Sequence, residues 1–204
     1  MPYTTEVAKA VDGYTARTIP VHASLEARQV VLSAPEMRAL LGDAQLIAVG
    51  NCECRRKRHN CAAPLDVCLS LNEAAQEMLA HAGSRPISLE EALDVLRCSH
   101  EAGLVHLAYR QGDGQVSAVC SCCSCCCWFL DALKRFNYRD AIAESGFVAA
   151  FDSELCNDCG RCAERCQFAA WSAAPVALDA GRCLGCGLCV STCPTGAISF
   201  VARR

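Results

Sequence analysis

The chain has 204 residues, 52 % of them hydrophobic, and a formal net charge of −3 from 19 basic and 22 acidic side chains. That is enough apolar material for one or two folded domains, and it leaves no global field to draw the chain onto nucleic acid or an anionic membrane. Nineteen cysteines, about 9 % of the chain, are the outstanding feature. Their odd count, the absence of a basic-then-apolar secretory leader and the lack of any apolar run long enough to span a bilayer argue for metal-binding thiolates in a reducing, cytoplasmic setting rather than a disulfide framework.

In chain order, residues 1 to about 45 offer no ligand candidates. Pro20, Pro35 and Gly42 punctuate short helical or irregular pieces, with a helix from near Pro35 ending at Leu40 and Leu41. Leu46 to Val49 reads as a buried strand that delivers the chain to the loop NCECRRKRHNCAAPLDVC. The loop carries Cys52, Cys54, Cys61 and Cys68, with gaps too uneven for a named zinc finger. The run Arg55-Arg56-Lys57-Arg58 between them reads either as a solvated face or as cations that stabilise thiolates, raise a cluster's potential or dock an acidic or phosphate-bearing partner. His59 reads as a surface histidine.

Asn72 to about His81 is expected to be helical and capped by Gly83. A second helix starts at Ser88, with Glu91 completing a capping-box pattern and Leu89, Ala92, Leu93 and Leu96 forming one apolar face, and stops at Gly103. Cys98 on this helix is expected to be a buried small hydrophobe. Leu104 to Tyr109 and Val116 to Val119, flanking Gln111-Gly112-Asp113-Gly114, read as a hairpin. Helix followed by hairpin resembles part of a winged-helix module over residues 70 to 120, although no basic recognition helix accompanies it.

The hairpin leads into CSCCSCCCW, where Cys120, Cys122, Cys123, Cys125, Cys126 and Cys127 crowd into eight residues. Six thiols exceed one four-ligand site, so either two sites share the segment or some thiols serve another purpose. On an extended stretch Cys120 and Cys122 point to one side and Cys123 and Cys125 to the other, which suits bridging between two centres. Trp128, Phe129 and Leu130 then open an apolar helix able to shield the centre. The adjacent cysteines resemble those of heterodisulfide-reductase-like subunits, whose paired cysteines hold an unusual cluster; the glycine that follows the pair in that family is absent here. The ten N-terminal cysteines are therefore read as one or two further iron–sulfur clusters, with zinc or thiol–disulfide chemistry as alternatives.

The last eight cysteines form a repeat. Cys156, Cys159, Cys162 and Cys166 recur 27 residues later as Cys183, Cys186, Cys189 and Cys193, and Asp152, Gly160 and Ala170 recur as Asp179, Gly187 and Ala197. Each half reads C-x2-C-x2-C-x3-C, and the second ends in Pro194, where the first has Gln167. Residues from about 150 to 204 thus resemble a bacterial-type ferredoxin domain with two 4Fe-4S clusters. That resemblance implies Cys156, Cys159, Cys162 and Cys193 for one cluster and Cys183, Cys186, Cys189 and Cys166 for the other. Gly160, Gly185 and Gly187 would let amides approach the cluster sulfurs.

The expected architecture is α+β: a cysteine-rich mixed helical and hairpin domain over 1–147, then a ferredoxin-like two-cluster domain over 148–204. The expected function is electron transfer, as a dedicated partner or subunit of a larger redox enzyme, with no nucleic-acid partner and no membrane span. The alternatives are a catalytic reductase subunit acting on a disulfide-type substrate at the N-terminal centre, and a redox-sensing regulator. No G-x-G-x-x-G or P-loop signature is present, so a flavin or nicotinamide would belong to another subunit.

Overall fold

A computed structural model describes residues 14–19, 34–111, 116–136, 142–143 and 145–203. Pro20 and the hairpin-turn residues Gly112, Asp113 and Gly114 lie outside the described residues. The fold is α+β, as expected. Strands β1 (Tyr14–Ile19), β2 (Ile47–Asn51), β3 (Asp66–Leu71), β4 (Arg85–Pro86), β5 (Val105–Gln111), β6 (Val116–Cys122) and β7 (Ile142–Ala143) form one sheet in the order β4-β2-β3-β6-β5-β1-β7. Neighbours are antiparallel except β1 and β7.

Strand alternation gives this sheet two distinct faces. Ile47, Val49, Leu69, Leu71 and Val119 pack against Met37 and Leu41 of helix α1 (Ala34–Gly42) and Ala92, Leu93 and Leu96 of helix α4 (Leu89–Glu101). The residues between them, Cys68 on β3 and Cys120 on β6, are a cross-strand pair and face the other way. Val105, Leu107 and Tyr109 share that second face with Cys122, and helix α5 (Trp128–Phe136) covers it through Phe129, Leu130 and Ala132. Two short helices complete this part of the chain, α2 (Glu53–Arg58) and α3 (Asn72–Leu79).

The Ser88 hydroxyl accepts from the Glu91 amide at 3.2 Å and caps α4 as expected, while the Glu91 carboxylate pairs with Arg85 instead of closing the box. Helix α3 ends two residues earlier than expected, at Leu79, and Gly83 takes a left-handed conformation beyond it. Cys98 is exposed, not buried. The inward stripe of α4 runs through Ala92, Leu93, Leu96, Ser99 and His100, and Cys98 falls off that stripe by helical periodicity. The winged-helix likeness also fails: β5 and β6 each have a neighbour on both sides, so the hairpin is the middle of the sheet and not a projecting wing.

The C-terminal region has its own small elements. Strand β8 (Phe147–Phe151) pairs antiparallel with β11 (Ile198–Ala202), and β9 (Trp171–Ala173) with β10 (Val176–Leu178). Helices α6 (Arg161–Arg165) and α7 (Leu188–Thr192) start 27 residues apart, as do β9 and β11, so the sequence repeat is also a backbone repeat. No helix among the described residues is long and apolar enough to cross a membrane.

Candidate metal centres

Each C-x2-C-x2-C loop enters its helix through a left-handed glycine, Gly160 at φ 70° and Gly187 at φ 87°, and leaves it through an extended cysteine, Cys166 or Cys193. The third cysteine is thereby held on the first turn while the fourth is carried away from its own loop. Cys156, Cys159, Cys162 and Cys193 line one cavity. Cys183, Cys189 and Cys166 act electrostatically on Cys186 as close neighbours, so the fourth cysteine of each copy lies with the first three of the other.

Backbone amides are aimed at sulfur in both sets. Asp158 N lies 3.4 Å from Cys156 Sγ, Ala170 N 3.4 Å from Cys166 Sγ, and Ala149 N 3.5 Å from Cys183 Sγ. Burial pushes the Cys186 thiol well above its ordinary value and Cys189 up to about 12. Four thiolates can share such a low-dielectric pocket only around a polycationic core. Two sets of four sulfurs, the second more deeply buried than the first and each met by amide donors, fit one four-iron cubane apiece.

The ten N-terminal cysteines divide. The sulfurs of Cys61, Cys123, Cys125 and Cys126 all lie within 4.8 Å of one another. Cys61 Sγ is 3.6 Å from Cys123 Sγ and 3.9 Å from Cys126 Sγ. Cys61 reaches the surface at a groove of about 690 Å³ lined also by Arg56, His59 and the segment Ala62 to Leu65. Burial raises its thiol pKa, but the Ala63 amide and the Cys123, Cys125 and Cys126 sulfurs outweigh burial and leave it below its ordinary value.

The other six sulfurs form a connected set. Cys52 contacts Cys54 and Cys68, Cys68 contacts Cys120, Cys120 contacts Cys122, and Cys122 contacts Cys127. The Tyr109 hydroxyl lies 3.9 Å from both Cys122 Sγ and Cys127 Sγ. Adjacent residues are split between the sets: Cys122 lies in one and Cys123 in the other, then Cys126 and Cys127. A turn closed by the Cys126 and Cys127 amides on the Cys123 carbonyl makes the second split, where a continuous strand would have kept simple alternation.

The basic run is a helix, which separates its members. Arg55 and Arg58, three apart, turn inward, while Arg56 and Lys57 meet Glu53 at the surface. Arg55 is 2 % exposed. It donates to Pro64 O at 3.1 Å, to Ser121 O at 3.0 and 3.3 Å, and to Cys123 Sγ at 3.8 Å. Arg58 pairs with buried Asp131 at 2.9 Å and covers the Trp128 ring at 3.9 Å. With the Asn60 amide on Cys125 O at 2.7 Å, these contacts fasten the first cysteine loop to the second.

Gln167, which stands where a proline was expected, has a structural reason. Its Oε1 accepts from Ser124 N at 3.1 Å, inside CSCCSCCC, and its Nε2 donates to Gly103 O at 3.0 Å. Proline could do neither. Arg165 adds bonds to the His100 and Glu101 carbonyls, and His100 Nε2 meets Ser191 Oγ at 2.8 Å. Leu184, Cys186 and Leu188 share one apolar cluster with Tyr109, Cys122, Cys127 and Phe129. The C-terminal set around Cys186 therefore abuts the six-sulfur set.

His106 points to the opposite face of β5, toward α4, and is wholly buried, its Nδ1 3.1 Å from Ser121 Oγ and its ring 6.2 Å from that of His100. Burial, reinforced by His100, lowers its pKa from 6.5 to about 3. The unfolded chain therefore takes up this proton first as pH falls, and the stabilisation present above pH 6.5 declines by about 1.4 kcal/mol per pH unit toward pH 3. His106→Gln is expected to flatten the fall in urea midpoint between pH 7.5 and 5.5 relative to the parent chain. Parallel curves for the two proteins would refute this.

Sequence reasoning gave no role to Tyr109, His106 or Ser121, because each is marked only by strand register: His106 faces Ser121, and Tyr109 lies two residues on from Leu107, which faces Cys120. Arg55 had a usable signal, the three-residue spacing to Arg58, once the segment is recognised as helix.

Residues 149–172 and 176–199 each match the 4Fe-4S binding domain family. The two matches begin 27 residues apart, in step with the cysteine repeat, and residues 149–199 are thus a two-motif iron–sulfur binding region. No curated protein matches the chain.

Proposed function

We propose that this chain is an electron-transfer protein or redox-enzyme subunit in which a two-cluster domain, residues 148–204, exchanges electrons with a cysteine-ligated centre in a domain spanning residues 1–147. The observation that carries the reading is the Gln167 clamp. The residue after ligand candidate Cys166 is hydrogen-bonded to the backbone between Cys123 and Cys125, so the two cysteine regions are held in direct contact. When bound, 4Fe-4S clusters supply one-electron steps. The chain's own part is to hold the thiolates, aim amides at them and exclude water, which needs no proton-transfer residue.

Cysteines at both ends are open to a partner. Cys159 is exposed in the first C-terminal set and Cys61 in the four-sulfur N-terminal set, while Cys186 and Cys189 between them are buried. Exposed ends with buried intermediates suit a carrier that docks a redox partner protein at one or both ends.

Gln167→Ala removes both clamp bonds, together about 2 kcal/mol. Transfer from photoreduced C-terminal clusters to the N-terminal centre, followed anaerobically by absorbance, is expected to slow at least about tenfold. The C-terminal clusters' iron content and EPR signals should not change. A rate equal to that of the parent chain overturns the reading.

A further inference from the structure

We propose that Cys52, Cys54, Cys68, Cys120, Cys122 and Cys127 hold a polynuclear iron–sulfur centre of their own, separate from the site at Cys61, Cys123, Cys125 and Cys126, with Arg55 standing between the two. The proposal goes beyond electron transfer between the two domains, since it concerns how many centres the N-terminal region holds.

The first support is convergence. The six sulfurs come from distant parts of the chain: Cys52 and Cys54 at the start of α2, Cys68 on β3, Cys120 and Cys122 on β6, and Cys127 at the entry to α5. Register produces the meeting, since Cys68 pairs with Cys120 across the strands and Cys122 is two residues on, hence on the same face. The neighbouring strand positions, Leu69 and Val119, are fully buried in an ordinary apolar core. Cysteine thus replaces aliphatic residues on one face only.

The second support is the number and the covering. Six sulfurs exceed the four of a cubane or of one tetrahedral zinc, and their contacts run on from one to the next instead of closing into a single tetrahedron. All six are unbridged by disulfides. Leu107, Tyr109, Phe129 and Leu130 cover the Cys122 and Cys127 side, and the buried Tyr109 hydroxyl is a donor placed against both sulfurs. Ionised thiolates here need positive charge; Arg55 is the one arginine or lysine among the described residues that is fully buried, and its guanidinium reaches Cys123 in the other set. A multi-iron core would supply the rest.

The third support is position. Cys186 of the C-terminal region shares an apolar cluster with Cys122 and Cys127, and Cys122 is bonded in sequence to Cys123 of the four-sulfur set. The six-sulfur set therefore lies between two other thiolate sites, where an iron–sulfur centre would carry electrons and zinc would not.

The test is metal and sulfide analysis with Mössbauer spectra of the full chain, reconstituted anaerobically with iron and sulfide. Four sulfurs all within 4.8 Å of one another suit a single tetrahedral ion at the Cys61 site, so iron clearly above the roughly 9 atoms of two four-iron clusters and one such ion is expected. Cys68→Ala/Cys120→Ala should lose the excess and keep the rest, whereas Cys61→Ala/Cys125→Ala should lose at most about one metal ion and keep the excess. Tyr109→Phe, which leaves every sulfur in place, should keep all the iron and shift the Mössbauer parameters of the excess component alone. Iron at or below about 9 in the parent chain, zinc in place of the excess, or no iron loss in Cys68→Ala/Cys120→Ala each overturns the proposal. These counts do not depend on the Gln167 transfer rate, so either idea can fail without the other.

Discussion

Replacing Arg55 by methionine is expected to destabilise the folded chain by about 3–5 kcal/mol, the range for removing one partner from a buried charged network. Methionine fills much of the volume but leaves the Pro64 and Ser121 carbonyls and the Cys123 sulfur without their donor. Those acceptors belong to both cysteine loops, so the loss should appear first as reduced iron retention in the N-terminal region. Arg55→Lys should recover only part of the stability, because a single ammonium cannot serve Pro64 O, Ser121 O and Cys123 Sγ together as the guanidinium fork does. Anaerobic urea denaturation with iron analysis reads both effects. A midpoint for Arg55→Met equal to that of the parent chain would show that the two loops are held by other means.

Gly185→Ala is expected to be nearly as damaging and more local. Gly185 sits between Cys183 and Cys186 at φ +70°, and a Cβ there would overlap the Phe147 carbonyl and the Ser145 hydroxyl. That hydroxyl is already engaged, donating toward Phe147 O at 3.0 Å and Gly185 O at 3.1 Å and accepting from Phe147 N at 3.2 Å. Relief requires moving backbone, so a cost of at least about 3 kcal/mol is expected, in the range of overpacking combined with left-handed strain. The cluster at Cys183, Cys186, Cys189 and Cys166 should be lost and the one at Cys156, Cys159, Cys162 and Cys193 retained, leaving about half of the C-terminal iron. Gly196→Ala is the control: its φ is +71° but nothing lies within 4 Å of the new methyl, so only about 1 kcal/mol of backbone strain is expected. Equal losses at the two glycines would rule out the steric argument.

These two positions differ in how far the sequence revealed them. Gly185 belongs to a loop whose ligands are two residues apart, and its role is visible in C-x2-C-x2-C. Arg55 lies in a run of four basic residues that composition alone cannot separate into two inward-turned and two solvated members. The capped helix from Ser88, the strand before Cys52 and the hairpin leading to Cys120 were legible for the same reason as Gly185, since capping and alternation are local. Cys98 was misread because helix periodicity allows more than one apolar stripe, and the one used here bends toward Ser99 and His100 to meet the C-terminal region.

Chain chemistry alone established an iron–sulfur binding region at the C-terminus, because cubane ligation is written in gaps of two and three residues that survive without any knowledge of long-range packing. It also showed that the remaining cysteines were too many for one site. How those ten divide was beyond it. Cys61 meets Cys123 across 62 positions and Cys68 meets Cys120 across 52, and such meetings depend on sheet register, where a slip of one residue would exchange the two faces. The partition into four and six sulfurs, the arginine between them and the glutamine that joins them to the C-terminal clusters follow from that register, which exists only once the whole sheet has formed.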